Sequence, residues 1–249
     1  MKHTVPSLRA EAVDPPRPEH KNITTLAPEN VSKFLEATRE TPYYVLFYTA
    51  LYTGMRLGEL LGLRWSDVDL DMANLSVVQA LYKRSGICKM VEPKSSKSRR
   101  QIALSPSLAL LLRDYKTEQQ AQRILLGAPM VDSNLVFSRI DGKPLDPGTI
   151  SHTSAKVLKK AGLPHIRFHD LRHSHATLLL KAGIHPKIVS ERLGHANIGI
   201  TLDTYSHVLP GLQERAARRF DEMLEPRVIS GEMVSKWLAN DPSSDSVGR

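Results

Sequence analysis

The sequence predicts an α+β fold that is mostly helical and carries a small antiparallel three-stranded sheet. Three observations predict it. Several segments space their apolar residues at the helical period; a central run of short β-rich stretches is broken by turn residues; and 41% hydrophobic content over 249 residues is enough for a substantial core.

Each element follows from its own signals. Residues 1–22 are rich in proline and mixed charge without periodicity, which marks a linker or arm. In 26–38, Pro28 stands at a first helical position and Val31, Phe34 and Leu35 share one face, although Ala27 is a poor cap. A second helix runs through 43–54, and Leu57, Leu60 and Leu61 form the buried stripe of a third. The stretches 75–84, 87–92 and 99–105, separated by a Ser-Gly pair and a Lys-Ser-Ser-Lys-Ser run, are expected to pair as the sheet.

Beyond the sheet, Leu108, Leu111, Leu112, Tyr115, Gln122 and Leu125 keep one face of a long helix. The Asp-Gly pair within 135–145 predicts a hairpin, and Val157, Leu158 and Ala161 precede Gly162 as a helix end. In the helix that follows, Leu171, His175, Leu178, Leu179 and Ala182 point inward and Gly183 is the stop. A short helix opens at Pro186 and closes at Gly194. Leu212, Ala216, Phe220 and Leu224 predict another. The domain is expected over 23–225, with a C-terminal helix and a disordered tail in 226–249; Val234, Trp237 and Leu238 are that helix's stripe.

Charge narrows the partners. Lys and Arg total 34 against 26 Asp and Glu, a formal +8, which favours a polyanion, with nucleic acid first. A lone cysteine, Cys88, excludes an internal disulfide framework and a thiolate metal cluster, and points to a reducing cytosol. No apolar run reaches membrane-spanning length and no signal-peptide core opens the chain, so a cytoplasmic protein with no membrane partner is expected.

The candidate residues cluster. Three histidines and two arginines fall within 167–175, where His169 and Arg172 stand three apart near a helix start. Unpaired amides and the helix dipole favour an anion there, and the guanidinium fork of Arg172 matches two phosphate oxygens. The alternative is that His173 and His175 are packing residues and that Arg172 pairs with Asp170 or Glu191. Arg56, at another helix start, opposes its dipole, a small cost that makes sense for a side chain aimed at an anion, and Glu59 one turn on is placed to orient it. His195 follows the Gly194 helix end, and Tyr205 comes ten residues later, in a setting where a half-buried core tyrosine is the ordinary reading.

The ordered segments 53–60 (TGMRLGEL), 93–100 (PKSSKSRR), 169–177 (HDLRHSHAT), 193–195 (LGH) and 204–207 (TYSH) resemble the motifs of the tyrosine recombinases, the phage-integrase family. The resemblance covers about 24–222 and implies that family's catalytic-domain fold. It also implies a DNA strand transferase that works through a 3′-phosphotyrosyl intermediate without metal or nucleotide cofactor, for a phage or other mobile element. By resemblance, Arg56 and Arg172 clamp the non-bridging oxygens, His195 donates to one of them, His169 assists proton transfer from Tyr205, and a hairpin lysine protonates the departing 5′-oxygen. Lys94 fits that hairpin best and Lys97 is the alternative. The chemistry agrees: a tyrosine of pKa near ~10 must lose its proton and the phosphorane charge needs several convergent donors.

The stripe of Lys83, Arg84, Lys89, Lys97, Arg99 and Arg100, opposed by Glu92 alone, is expected to bind DNA phosphates whatever its catalytic part. The partner implied is double-stranded DNA, with self-association on it into a tetrameric synapse in the full-length protein and a monomeric fragment in solution. Gly199 and Ile200 depart from the small polar residues usual before the tyrosine. The resemblance also implies a separate N-terminal helical domain, which the segment before residue 24 is too short to supply, so a catalytic-domain fragment is expected. Three other readings compete: a type IB topoisomerase, a DNA-binding regulator with dead chemistry, and a metal hydrolase using His169, His173, His175 and His195. The last lacks a carboxylate or thiolate to complete a site.

Overall fold

The computed structural model describes residues 24–92, 99–127, 134–205 and 212–224. The expected arm over 1–22, Lys94, Lys97 and the expected helix and tail of 226–249 lie outside the described residues.

Helix α1 (Pro28–Thr38) starts with proline at its first turn and no side-chain cap, and buries Phe34. Helix α2 (Tyr44–Thr53) buries Leu46, Phe47, Ala50 and Leu51 and stops at Gly54, whose φ is 66°. The ring of Phe47 joins three helices, meeting Phe34 edge-on at 5.5 Å and Phe168, at the start of a later helix, at 6.0 Å. Helix α3 (Leu57–Leu61) follows directly and buries Glu59, Leu60 and Leu61.

The sheet differs from the expected one. Its three strands are β1 (Val68–Asp69), β2 (Asn74–Val77) and β5 (Arg100–Ala103), in the order β1-β2-β5, antiparallel, with Leu75 opposite Ile102 in the core. The stretch 75–84 is therefore two strands. After Val77 the chain leaves the sheet, Gln79 donating to the Gly62 carbonyl at 2.7 Å. Strand β3 (Ala80–Arg84) then pairs only with β4 (Ile87–Val91) as a separate hairpin. Ser85 and Gly86 both have positive φ, 49° and 80°, the geometry that matches a two-residue loop to the right-handed strand twist. In β4 every residue is exposed, so the hairpin projects its basic side chains from the body.

Helix α4 (Pro106–Leu126) is capped by Ser105 and buries Leu108, Leu112 and Gln119. Gln122 and Leu125, expected on that face, are exposed, Leu125 by 87%. The face follows the 3.6-residue period through Tyr115 to Gln119, whose amide is satisfied by the Trp65 indole and the Val136 carbonyl. The Asp-Gly hairpin is a tight turn with a single bridge between Ser138 and Pro144.

Helices α5 (Pro147–Lys160), α6 (Phe168–Lys181), α7 (Pro186–Leu193) and α8 (Ile198–Tyr205) complete the site-bearing half, and α9 (Leu212–Met223) follows with Phe220 exposed. Helix α6 is buried nearly all round between Phe168 and Thr177, not along one stripe; Leu180 is buried, while the expected Ala182 is exposed. Its far half, with α7 and α8, forms a second small core of Ala176, Leu180, Val189, Leu193 and Tyr205. The tyrosine of interest is thus a core residue of that sub-cluster. Among the described residues no helix is long and apolar enough to cross a membrane.

Candidate active site

The site begins with one buried carboxylate. Glu59, 7% exposed, accepts the Arg56 backbone N–H and side chain, both at 2.9 Å, and Arg100 Nη2 at 2.8 Å. Burial alone would raise its pKa; the hydrogen bond and charge of Arg100, then those of Arg56, outweigh burial and hold the carboxyl below its ordinary value. Arg56 keeps 43% of its side chain exposed, so it is oriented by Glu59 yet open to a ligand.

Arg100 corrects an expectation. Placed by sequence among the surface phosphate contacts, it has a side chain only 6% exposed, clamped on Glu59 and donating through Nε to the Arg192 carbonyl at 2.8 Å. It is a buried strut between β5, α3 and the end of α7. Gly194, with φ of 69°, presses on it so closely that an added Cβ would stand 2.9 Å from Nη1.

Arg172 is buried too, and its partners are neither Asp170 nor Glu191. Nη1 donates to the Gly54 carbonyl at 2.8 Å and Nη2 to the Leu193 carbonyl at 2.7 Å, tying the ends of α2 and α7 to α6. Asp170 is taken by Arg167, and Glu191 pairs with Lys187. Burial first, then the charge of Arg56, lowers the Arg172 pKa to about 9. A guanidinium so placed stays charged, and an anion beside it would relieve that strain. With a fork of five N–H donors, Arg172 has two engaged in these bonds.

The histidines divide by partner. His175 Nδ1 meets the Leu51 carbonyl at 2.8 Å and its Nε2 receives Arg192 Nε at 3.1 Å, so the ring is fully engaged as structure. Burial, then Arg192, lowers its pKa to about 3. His195 Nδ1 bonds Thr201 Oγ1 at 2.8 Å, and burial followed by Arg172 lowers it to about 4. His173 Nδ1 lies 2.7 Å from the hydroxyl of Tyr205, and burial followed by His169 lowers it to about 4. His169 meets His173 edge-on, ring centres 5.1 Å apart, and is itself lowered by burial and Arg172.

His173 is the residue that sequence reading passed over as packing. A histidine beside the motif arginine was visible, but nothing local marked its reach to a tyrosine 32 positions on. Tyr205 is 1% exposed, and burial pushes its hydroxyl up to about 12, against the lowering effect of Arg172.

Of the basic stripe, Arg84 and Lys89 stand exposed on the hairpin, Lys83 pairs with Asp146, and Arg99 pairs with Glu92. Among the described residues no group of three His, Cys, Asp or Glu side chains is placed to hold a metal ion. A neutral imidazole on the tyrosine hydroxyl, a buried guanidinium on the same helix and a part-exposed one at the start of α3 make a site able to hold an anion beside a hydroxyl nucleophile.

That class can be made specific. The chain belongs to the phage integrase family, whose model matches residues 24–211. It is 33% identical over 234 residues to a XerC-like tyrosine recombinase of Caldanaerobacter subterraneus subsp. tengcongensis, covering 88% of this chain and 60% of that protein. It is 31% identical to the ICEBs1 integrase of Bacillus subtilis, covering 82% of this chain and 56% of the relative. The chain thus spans little more than half of these relatives. Among solved structures, the XerA recombinase superposes with a TM-score of 0.60 at 25% identity over 82% of this chain and 66% of that one. The Tn1549 transposon integrase bound to transposon right-end DNA superposes at 0.68 over 80% of this chain and 68% of that one, at 24% identity, a likeness of fold.

Proposed function

We propose that this chain is the strand-transferring part of a site-specific DNA recombinase of a mobile element, cleaving and rejoining DNA through a 3′-phosphotyrosyl intermediate. The observation that carries the reading is the seat shared by Arg172 and Tyr205: the guanidinium donates to the Leu193 carbonyl at 2.7 Å, and the Leu193 side chain packs with Tyr205 in the same small core. A phosphodiester held by Arg56 and Arg172 would stand beside the tyrosine hydroxyl. His195, held by Thr201, supplies a neutral imidazole to the same oxygens, and His169, three residues before Arg172 on α6 and edge-on to His173, stands beside this set. Cationic donors fixed before the substrate arrives stabilise the phosphorane without reorganisation.

Because the ester energy is kept in the tyrosine–phosphate bond, rejoining requires no nucleotide cofactor. A lysine, Lys94 or Lys97, acts as acid to the leaving 5′-oxygen. The partner is double-stranded DNA, engaged through the exposed hairpin residues Arg84 and Lys89, with several copies assembling on it inside the cell. The test is incubation with a pool of nicked duplexes of randomised sequence and excess chelator, in which loss of a short 5′ fragment traps the intermediate. A denaturant-resistant protein–DNA adduct is expected. No adduct, or one that needs a divalent metal, would overturn the reading.

A further inference from the structure

Among the described residues the hydroxyl of Tyr205 makes one hydrogen bond, to Nδ1 of His173 at 2.7 Å. The tyrosine is buried among Ala176, Leu180, Val189 and Leu193, which keeps bulk water from serving as its proton acceptor. His169, the imidazole assigned that task by family resemblance, contacts the ring of His173 instead.

We propose that His173 is a further catalytic residue, the group that takes the Tyr205 proton as the hydroxyl oxygen attacks phosphorus. The inference rests on the strand-transfer reading. In the forward step the tyrosine O–H bond breaks and its proton passes to Nδ1; the Tyr205 Oη–P bond forms and the P–O5′ bond breaks. The leaving 5′-oxygen receives a proton from a separate acid. In rejoining, the 5′-hydroxyl gives its proton back to the conjugate base of that acid as the P–O5′ bond re-forms, the P–Oη bond breaks, and His173 returns its proton to the tyrosine. The step requires the tautomer with hydrogen on Nε2 and a bare Nδ1, so that the phenol is the donor.

The surroundings couple this transfer to substrate. His173 is faced by His169, Asp170, Arg172 and Arg167 of α6 and its approach, by Tyr205 of α8, and by His195 beyond α7. Burial, then His169, keeps it neutral at rest, while Arg172 and Arg167 oppose the charge it must gain and Asp170 favours it. A phosphate bound by the arginines adds negative charge where the imidazolium forms, so the proton moves when the phosphate is present.

The experiment is single-turnover adduct formation on the nicked-duplex pool by the wild type, His173→Asn and His173→Ala. Asparagine keeps a polar atom near the Nδ1 position but cannot accept a proton at working pH. Expected are wild-type melting and duplex binding for His173→Asn, with adduct formation slowed about 10²–10⁴-fold. Its log rate should climb with a slope near one above neutrality, where hydroxide substitutes and the wild type is flat. An unslowed His173→Asn with a flat profile would leave His173 only a hydrogen-bonding role, and faster attack by His173→Ala would make it a restraint on the tyrosine. Either overturns the proposal. Should both variants fail to fold, imidazole ¹⁵N shifts of the wild type decide: a resting proton on Nδ1 overturns it. Absence of adduct from the wild type itself would sink the strand-transfer reading instead.

Discussion

Arg192 on α7 donates through Nε to Nε2 of His175 on α6 at 3.1 Å, and through its two terminal nitrogens to the carbonyls of Ala103 and Tyr52 at 3.0 and 2.8 Å. Its own carbonyl receives Arg100, and the next carbonyl, that of Leu193, receives Arg172. One turn of α7 is therefore nailed to α2, α6 and β5, and His195 follows directly from it. Arg192→Ala should cost about 2–4 kcal/mol in urea denaturation, because charged donors are lost and buried acceptors are left unpaired. Arg192→Lys should recover only part of this, since an ammonium lacks the planar fork. Unchanged denaturation midpoints would show that the tie is incidental.

Arg84 and Arg100 separate surface from interior. Arg100→Ala strands the buried Glu59 carboxylate with Arg56 alone and should lower stability by about 3–5 kcal/mol. Arg84→Ala, on the exposed hairpin, should shift stability by no more than about 0.5 kcal/mol yet reduce the salt slope of duplex binding by about one. Denaturation and salt titration of both variants check this. A reversed pattern would put Arg100 at the DNA.

Acid should weaken the fold earlier than its carboxylates alone would. His173, His175 and His195 all have folded pKa values pushed below the ordinary histidine value, to about 4, 3 and 4, chiefly by burial. A depressed value means that the folded state prefers the neutral ring. Its contribution is whole above the unfolded pKa of about 6.5 and is lost as pH falls toward the folded values. Melting temperature should therefore begin to fall just below about pH 6.5. In His175→Gln the decline between about pH 6.5 and 4 should be shallower. A melting temperature flat down to about pH 4.5 would contradict the three depressed values.

Replacing the bridging 5′-oxygen by sulfur removes the need for a leaving-group proton. Lys94→Ala should slow cleavage of the ordinary substrate far more than of the thio-substituted one, while Lys97→Ala should weaken binding. Rates on the two substrates decide, and the opposite pattern would assign the acid to Lys97.

Much of this was legible in the sequence, because the signals are local. Pro28 and Gly54 bound helices where expected, and Glu59 lies three residues from the arginine it orients. What was not legible depends on long-range contact. Arg99 and Arg100 are adjacent and chemically alike, yet one is exposed and the other is buried against a carboxylate 41 positions away. The strand partner of β2 is β5, beyond an entire hairpin, so β-rich stretches could be counted but not paired. Helix α6 misled in another way. A single inward stripe was expected, but Asp170, Arg172, Ser174 and Thr177 are buried beside it, Arg172 and Ser174 meeting partners more than 100 positions away. Helical periodicity carries no trace of such partners.

The most direct test of the central claim is Tyr205→Phe on the nicked-duplex pool, read by denaturing gel and by mapping the nucleotide-bearing peptide of the wild type. The substitution removes one oxygen and keeps the ring that packs on Leu180, Val189 and Leu193, so melting should fall only by the equivalent of one hydrogen bond, about 1 kcal/mol, and duplex binding should persist. The account predicts that the wild-type adduct maps to Tyr205 and that the variant forms none. An adduct from Tyr205→Phe, or a wild-type adduct on Tyr43, Tyr44, Tyr48, Tyr52, Tyr82 or Tyr115, would contradict it and leave Tyr205 a core residue only.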